Sequence, residues 1–186
     1  MRAHNIVLRV PETVLITGGS RSGKSGYALE LARKLAVGQS LYFLATAQPL
    51  DAEMRLRIEH HRAKRPADFI TIEEPLGLSA LIADLSGKAD ALVVDCLTLW
   101  ISNLMGGDLS DTAILSAADL LSHAVRDAAF PIVIVTDEVG SGVVPEYAEG
   151  RRFRDLLGWT NQKVASLADQ VILMVAGYPL FLKPKR

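Results

Sequence analysis

The chain has 186 residues, 49% of them apolar and 22% charged, with 20 Lys and Arg against 21 Asp and Glu. A chain of this length buries roughly 70% of its unfolded surface and needs neither disulfides nor a structural metal to hold a core. Its single cysteine, Cys96, can form neither an internal bridge nor a thiolate zinc site. The balanced charge argues against a general nucleic-acid binder or a membrane-surface protein, both of which carry a basic excess.

Arg2, His4, Arg9 and Glu12 interrupt any signal-peptide core at the start of the chain, and the apolar runs are far shorter than the roughly 20 residues needed to cross a bilayer. No membrane insertion and a reducing, cytoplasmic setting are expected. In chain order, the run 13–17 reads as a strand, 24–36 as a helix, 41–45 as a strand and 50–65 as a helix closed by Pro66. A strand at 69–72, a helix at 76–85 and a strand at 91–95 follow, then a helix from near Leu97 and another over 111–128. Pro131 precedes a strand at 132–136, and a helix at 153–168 leads to a strand at 171–176.

The strands are apolar throughout rather than alternating, as in a parallel sheet covered on both faces. The expectation is an α/β fold, a single domain over residues 13–186 with a mostly parallel sheet of six or seven strands flanked by helices. Residues 1–12 are expected to be an extension, and no repeat or linker marks a second domain.

Directly after the first strand stand Gly18, Gly19, Ser20, Arg21, Ser22, Gly23, Lys24 and Ser25, followed by a helical pattern. This is G-x-x-x-x-G-K-[ST] between a strand and a helix, the phosphate-loop pattern. Its glycines allow successive N–H groups to turn inward and the helix start adds positive potential. Lys24 neutralises phosphate oxygens, and the Ser25 hydroxyl can ligate Mg²⁺. A second acid is needed near the metal, at the end of another buried strand. Asp95 fits that post or else caps the helix that follows it, and Glu138, in a loop with Gly140 and Gly142, is its rival.

The segment 50–66 gathers acids early, at Asp51, Glu53 and Glu59, and bases late, at Arg62, Lys64 and Arg65. Taken alone it reads as a solvated helix whose charges complement its dipole. His60 and His61 point about 100° apart on a helix, so they are not an i, i+4 metal pair. A neutral imidazole is, however, a competent nucleophile toward phosphorus, and three neighbouring cations would hold the phosphates it attacks.

The phosphate loop, Ala45-Thr-Ala47, the stretch Arg57-Ile-Glu-His-His-Arg-Ala-Lys-Arg-Pro66, the loop Thr136-Asp-Glu-Val-Gly-Ser-Gly-Val-Val-Pro-Glu146 and Arg152-Phe-Arg-Asp155 with Asn161-Gln162 together resemble the bifunctional adenosylcobinamide kinase/adenosylcobinamide-phosphate guanylyltransferase family. The resemblance runs from Val14 to Leu182. It implies a RecA-like phosphate-loop domain that assembles as a homotrimer and works in coenzyme B12 biosynthesis. The enzyme would phosphorylate adenosylcobinamide with ATP or GTP, then transfer GMP from GTP to adenosylcobinamide phosphate, giving adenosyl-GDP-cobinamide and pyrophosphate.

The resemblance further implies a guanylyl-histidine intermediate on His61. Nucleotide contacts would come from Gly18 through Ser25, from Ala45, Thr46 and Ala47, from Arg62, Ala63, Lys64 and Arg65, and from Glu73 and Asp95, with Mg²⁺ on Ser25 and Asp95. Trp100 and Trp159 are expected to contact a corrin or fill a subunit interface, and Cys96 to pack. The alternative from another mechanism is a phosphate-loop small-molecule kinase without guanylyl transfer; a nucleotide-gated binding protein is a third reading.

Overall fold

The computed structural model describes residues 12–64 and 66–184, except the side chains of Arg57, His61 and Lys64. The expected extension therefore lies outside the described residues apart from Glu12, which is buried and accepts from the Ile132 N–H through its carbonyl.

Seven strands are described: β1 (Thr13–Gly18), β2 (Leu41–Ala45), β3 (Phe69–Glu73), β4 (Ala91–Asp95), β5 (Ile132–Val135), β6 (Gln170–Val175) and β7 (Tyr178–Lys183). Between them lie α1 (Lys24–Leu35), α2 (Ala52–Lys64), α3 (Leu78–Asp84), α4 (Leu97–Gly106), α5 (Asp111–Asp127) and α6 (Ala148–Leu167). They form one sheet of order β3-β2-β4-β5-β1-β6-β7, parallel at every pairing except the antiparallel β6–β7 hairpin.

The continuous apolar runs have the cause expected of them, since alternate residues feed two cores. Leu15, Leu92, Val94, Ile132 and Ile134 pack against α3 to α6, while Val14, Ile16, Val93, Val133 and Val135 pack against Ala28, Ala32 and Leu35 of α1. Strand β5 is buried at all four residues because both its faces are covered.

Strand β7 was absent from the strands read in the sequence. Pro179 weakens its pattern, and most of its side chains are exposed. It forms because Ala176 and Gly177, with φ of 50° and 87°, make the two-residue turn that matches strand twist. Helix α6 starts five residues before the expected 153.

The order of strands positions the site. Both β1, which runs into the phosphate loop, and β4, which ends in Asp95, flank β5, so the carboxyl ends of three adjacent strands converge.

Candidate functional site

The phosphate loop forms at the end of β1 because glycine stands where the backbone needs it. Gly18 has φ of 148°, and a Cβ there would lie 2.4 Å from the Met174 carbonyl oxygen; Gly23 precedes α1 with φ of 95°. The hairpin turn supports the loop from beneath, with the Gly177 N–H donating to the Ser22 carbonyl at 3.1 Å.

Above the loop opens a cleft of about 860 Å³, lined by Ser20 through Gly26, by Ala45 and Ala47, by Asp95 and Asp137, and by Glu53, Met54, Leu56, Ile58 and His60 of α2. Lys24 is buried, and its ammonium donates to the carbonyls of Gly18 at 3.0 Å and Gly19 at 2.7 Å. It also lies 2.7 Å from Asp137 Oδ1.

Helix α2 forms one wall. Asp51 starts it, its carboxylate accepting from the Met54 N–H at 2.6 Å, and Ile58 is the only buried side chain among its described residues. His61 lies on this helix, next to His60 of the cleft wall, but its side chain, that of Lys64 and all of Arg65 fall outside the described residues. Ala63 is exposed.

Arg62 donates through Nε to Glu73 Oε1 at 2.9 Å and forms a further short bond through Nη2, an ion pair that raises the Arg62 pKa above its ordinary value. These two residues line a separate depression of about 410 Å³ with Pro66 and Thr71. Of the expected nucleotide contacts, Ser20 through Ser25, Ala45, Ala47 and Asp95 line the cleft, whereas Arg62 and Glu73 line this depression.

Three residues singled out in the sequence are not among those lining the cleft. Thr46 does not line the cleft: it is fully buried, and its hydroxyl donates to the Cys96 carbonyl and accepts from the Cys96 N–H, both at 2.8 Å. It holds the residue that follows β4. Glu138, the rival metal acid, is turned into its own loop, where its carboxylate accepts from the Gly140 N–H at 2.6 Å. Its neighbour Asp137 lines the cleft together with Asp95 and pairs with Lys24. Trp100 is 2% exposed and donates to the Leu76 carbonyl, so it is a core residue; Trp159 is exposed.

Cys96 packs as expected: burial, with Asp95 adding to it, pushes its thiol up to about 12.

Asp137 escaped the sequence reading, although it is the first acid past Thr136. Its backbone is held from two helices. The N–H donates to Thr98 Oγ1 of α4 at 2.8 Å, and the carbonyl accepts from Asn161 Nδ2 of α6 at 3.2 Å. Ser25, Asp95 and Asp137 supply only oxygen donors, the chemistry that suits Mg²⁺, and among the described residues no three metal-ligating side chains cluster. An ion held by one or two protein oxygens and by phosphates fits that arrangement.

The comparisons with known proteins agree with this architecture. The solved structure of the flagellar accessory protein FlaH from Methanocaldococcus jannaschii superposes with a TM-score of 0.51 at 13% identity, over 94% of this chain and 79% of that one, a likeness of fold and of fold alone. The expected RecA-like domain is therefore observed. The chain is 41% identical over 169 residues to the bifunctional adenosylcobalamin biosynthesis protein CobP of Pseudomonas aeruginosa, covering 91% of this chain and 96% of the relative. It is 37% identical over 182 residues to the bifunctional adenosylcobalamin biosynthesis protein CobU of Salmonella typhimurium, covering 91% and 99%. The family model described as cobinamide kinase / cobinamide phosphate guanyltransferase matches residues 14–182, and the chain belongs to that family.

Proposed function

We propose that this protein phosphorylates adenosylcobinamide with ATP or GTP and then guanylylates the phosphate, with His61 carrying the GMP unit between the two substrates. The observation that carries the reading is that the helix bearing His61 forms a wall of the cleft whose floor is the phosphate loop. A ring nitrogen of neutral His61 would attack the α-phosphorus of GTP. The bond from that phosphorus to the bridging oxygen breaks, and pyrophosphate departs with the electron pair. A phosphate oxygen of adenosylcobinamide phosphate then attacks the guanylyl phosphorus, the P–N bond breaks, and the imidazole is freed.

Lys24 and the loop N–H groups would neutralise the departing pyrophosphate, and Mg²⁺ on Ser25 and Asp95 would add charge there. Arg62 and Glu73 would meet the nucleotide from their own depression. In the kinase step the same loop would hold the γ-phosphate. Assembly as a homotrimer in the cytoplasm is part of this reading, supported by the exposed apolar residues Tyr178, Leu180 and Phe181 on β7, which such an assembly would cover.

The experiment is incubation with GTP labelled at the α-phosphate. Wild-type protein should acquire an acid-labile, alkali-stable label, and His61→Ala should lose the label together with guanylyl transfer by on the order of a thousandfold. Label that persists in His61→Ala, with transfer within a few fold of wild type, would leave a plain phosphate-loop kinase.

A further inference from the structure

The Lys24 ammonium donates to the carbonyls of Gly18 and Gly19 and is ion-paired with the Asp137 carboxylate at 2.7 Å. The ion pair is not of the exposed kind that water screens, because the side chains are 8% and 29% accessible. The backbone that carries the Asp137 carboxylate is fixed. Thr98 and Asn161 hold its backbone, and Asn161 Oδ1 is itself held by the Thr136 hydroxyl at 2.8 Å.

Charge makes a second, separate observation. Among the described residues lining the cleft, Glu53, Asp95 and Asp137 bring three carboxylates against the two permanent cations Arg21 and Lys24. A cradle shaped for a polyanion is thus acid-rich in its own side chains.

We propose that Asp137 is a specificity-determining residue, a resident counter-ion of Lys24 that makes the phosphate site select nucleotide accompanied by a divalent cation over free nucleotide. A phosphate oxygen reaching Lys24 must displace or share Asp137. A carboxylate parted from its lysine in a partly buried cleft then needs another cation, which a metal-bound nucleotide brings and a free one lacks. No covalent bond changes. The inference rests on the phosphate loop being a nucleotide site and is independent of guanylyl transfer at His61.

The test is calorimetric titration of GTP into wild-type protein and Asp137→Asn, each with Mg²⁺ and with EDTA. Wild type should bind more weakly by about tenfold or more in EDTA than in Mg²⁺. Asp137→Asn, which keeps the shape and loses the charge, should recover about tenfold in EDTA, so that its affinities with and without Mg²⁺ differ by less than about threefold. Equal wild-type affinity with and without Mg²⁺ would overturn the proposal without any variant, as would an Asp137→Asn affinity in EDTA no better than wild type. Asp137→Ala, read the same way, stands in should the asparagine variant fail to fold. Absence of GTP binding under every condition would overturn the nucleotide site itself and this proposal with it.

Discussion

Cys96 shows how one residue's surroundings set its chemistry. It lies between Asp95 and the first residue of α4, buried, with its backbone N–H and carbonyl both bonded to the Thr46 hydroxyl. Burial raises the thiol from its ordinary 9.0 to about 12 in the folded protein. The folded state therefore keeps its proton where the unfolded chain has already lost it. The stability this gives is complete below pH 9 and drains away as pH rises toward 12, by up to about 1.4 kcal/mol per pH unit. Denaturant unfolding at about pH 8 and about pH 10.5 should show a smaller alkaline loss for Cys96→Ala than for wild type. Identical losses would mean that the thiol ionises as freely folded as unfolded.

At the scale of elements, the phosphate loop is supported by a hairpin distant in sequence. Strand β6 lies beside β1, so Met174 pairs with Gly18 and the following turn reaches the Ser22 carbonyl. Gly18→Ala would drive a Cβ to 2.4 Å from a backbone oxygen at a φ that side chains rarely adopt. We expect it to lower unfolding stability by about 2 kcal/mol or more and to weaken GTP binding by at least about tenfold, read by denaturation and by calorimetry. The same hairpin explains why β7 was hard to read. Its turn is Ala-Gly rather than Asn-Gly, it contains Pro179, and exposure removes the apolar alternation that marks a half-buried strand. The buried strands and α5, whose Ser110 cap accepts from the Ala113 N–H, had no such ambiguity.

Across the whole molecule, cohesion is uneven. The sheet is packed on both faces, and α5 alone buries five residues, whereas α2 buries only Ile58 among its described residues and leaves Leu56 58% exposed. Few buried contacts mean a low free energy of local opening. Amide hydrogen exchange should be fastest in α2 among the helices and should slow there when GTP with Mg²⁺ is added. Exchange in α2 as slow as in α5 would contradict this account of how the cleft wall is held. Among the described residues no helix is long and apolar enough to cross a membrane, which agrees with the short apolar runs.

The sequence by itself determined the parallel α/β sheet, the phosphate loop between β1 and α1 and the family, because each depends on local pattern: apolar runs, glycine spacing and contiguous motifs. Only the tertiary structure decided which acid meets Lys24. Asp137 and Glu138 are neighbours in sequence, yet one faces the lysine and the other its own loop, and no composition or spacing separates them. The insertion of β5 between β1 and β4, the bonds from Thr98 and Asn161 and the burial of Thr46 all come from segments far apart in the chain. Adjacent residues leaving a strand face opposite ways, and which of them reaches the site is set by long-range pairing and register.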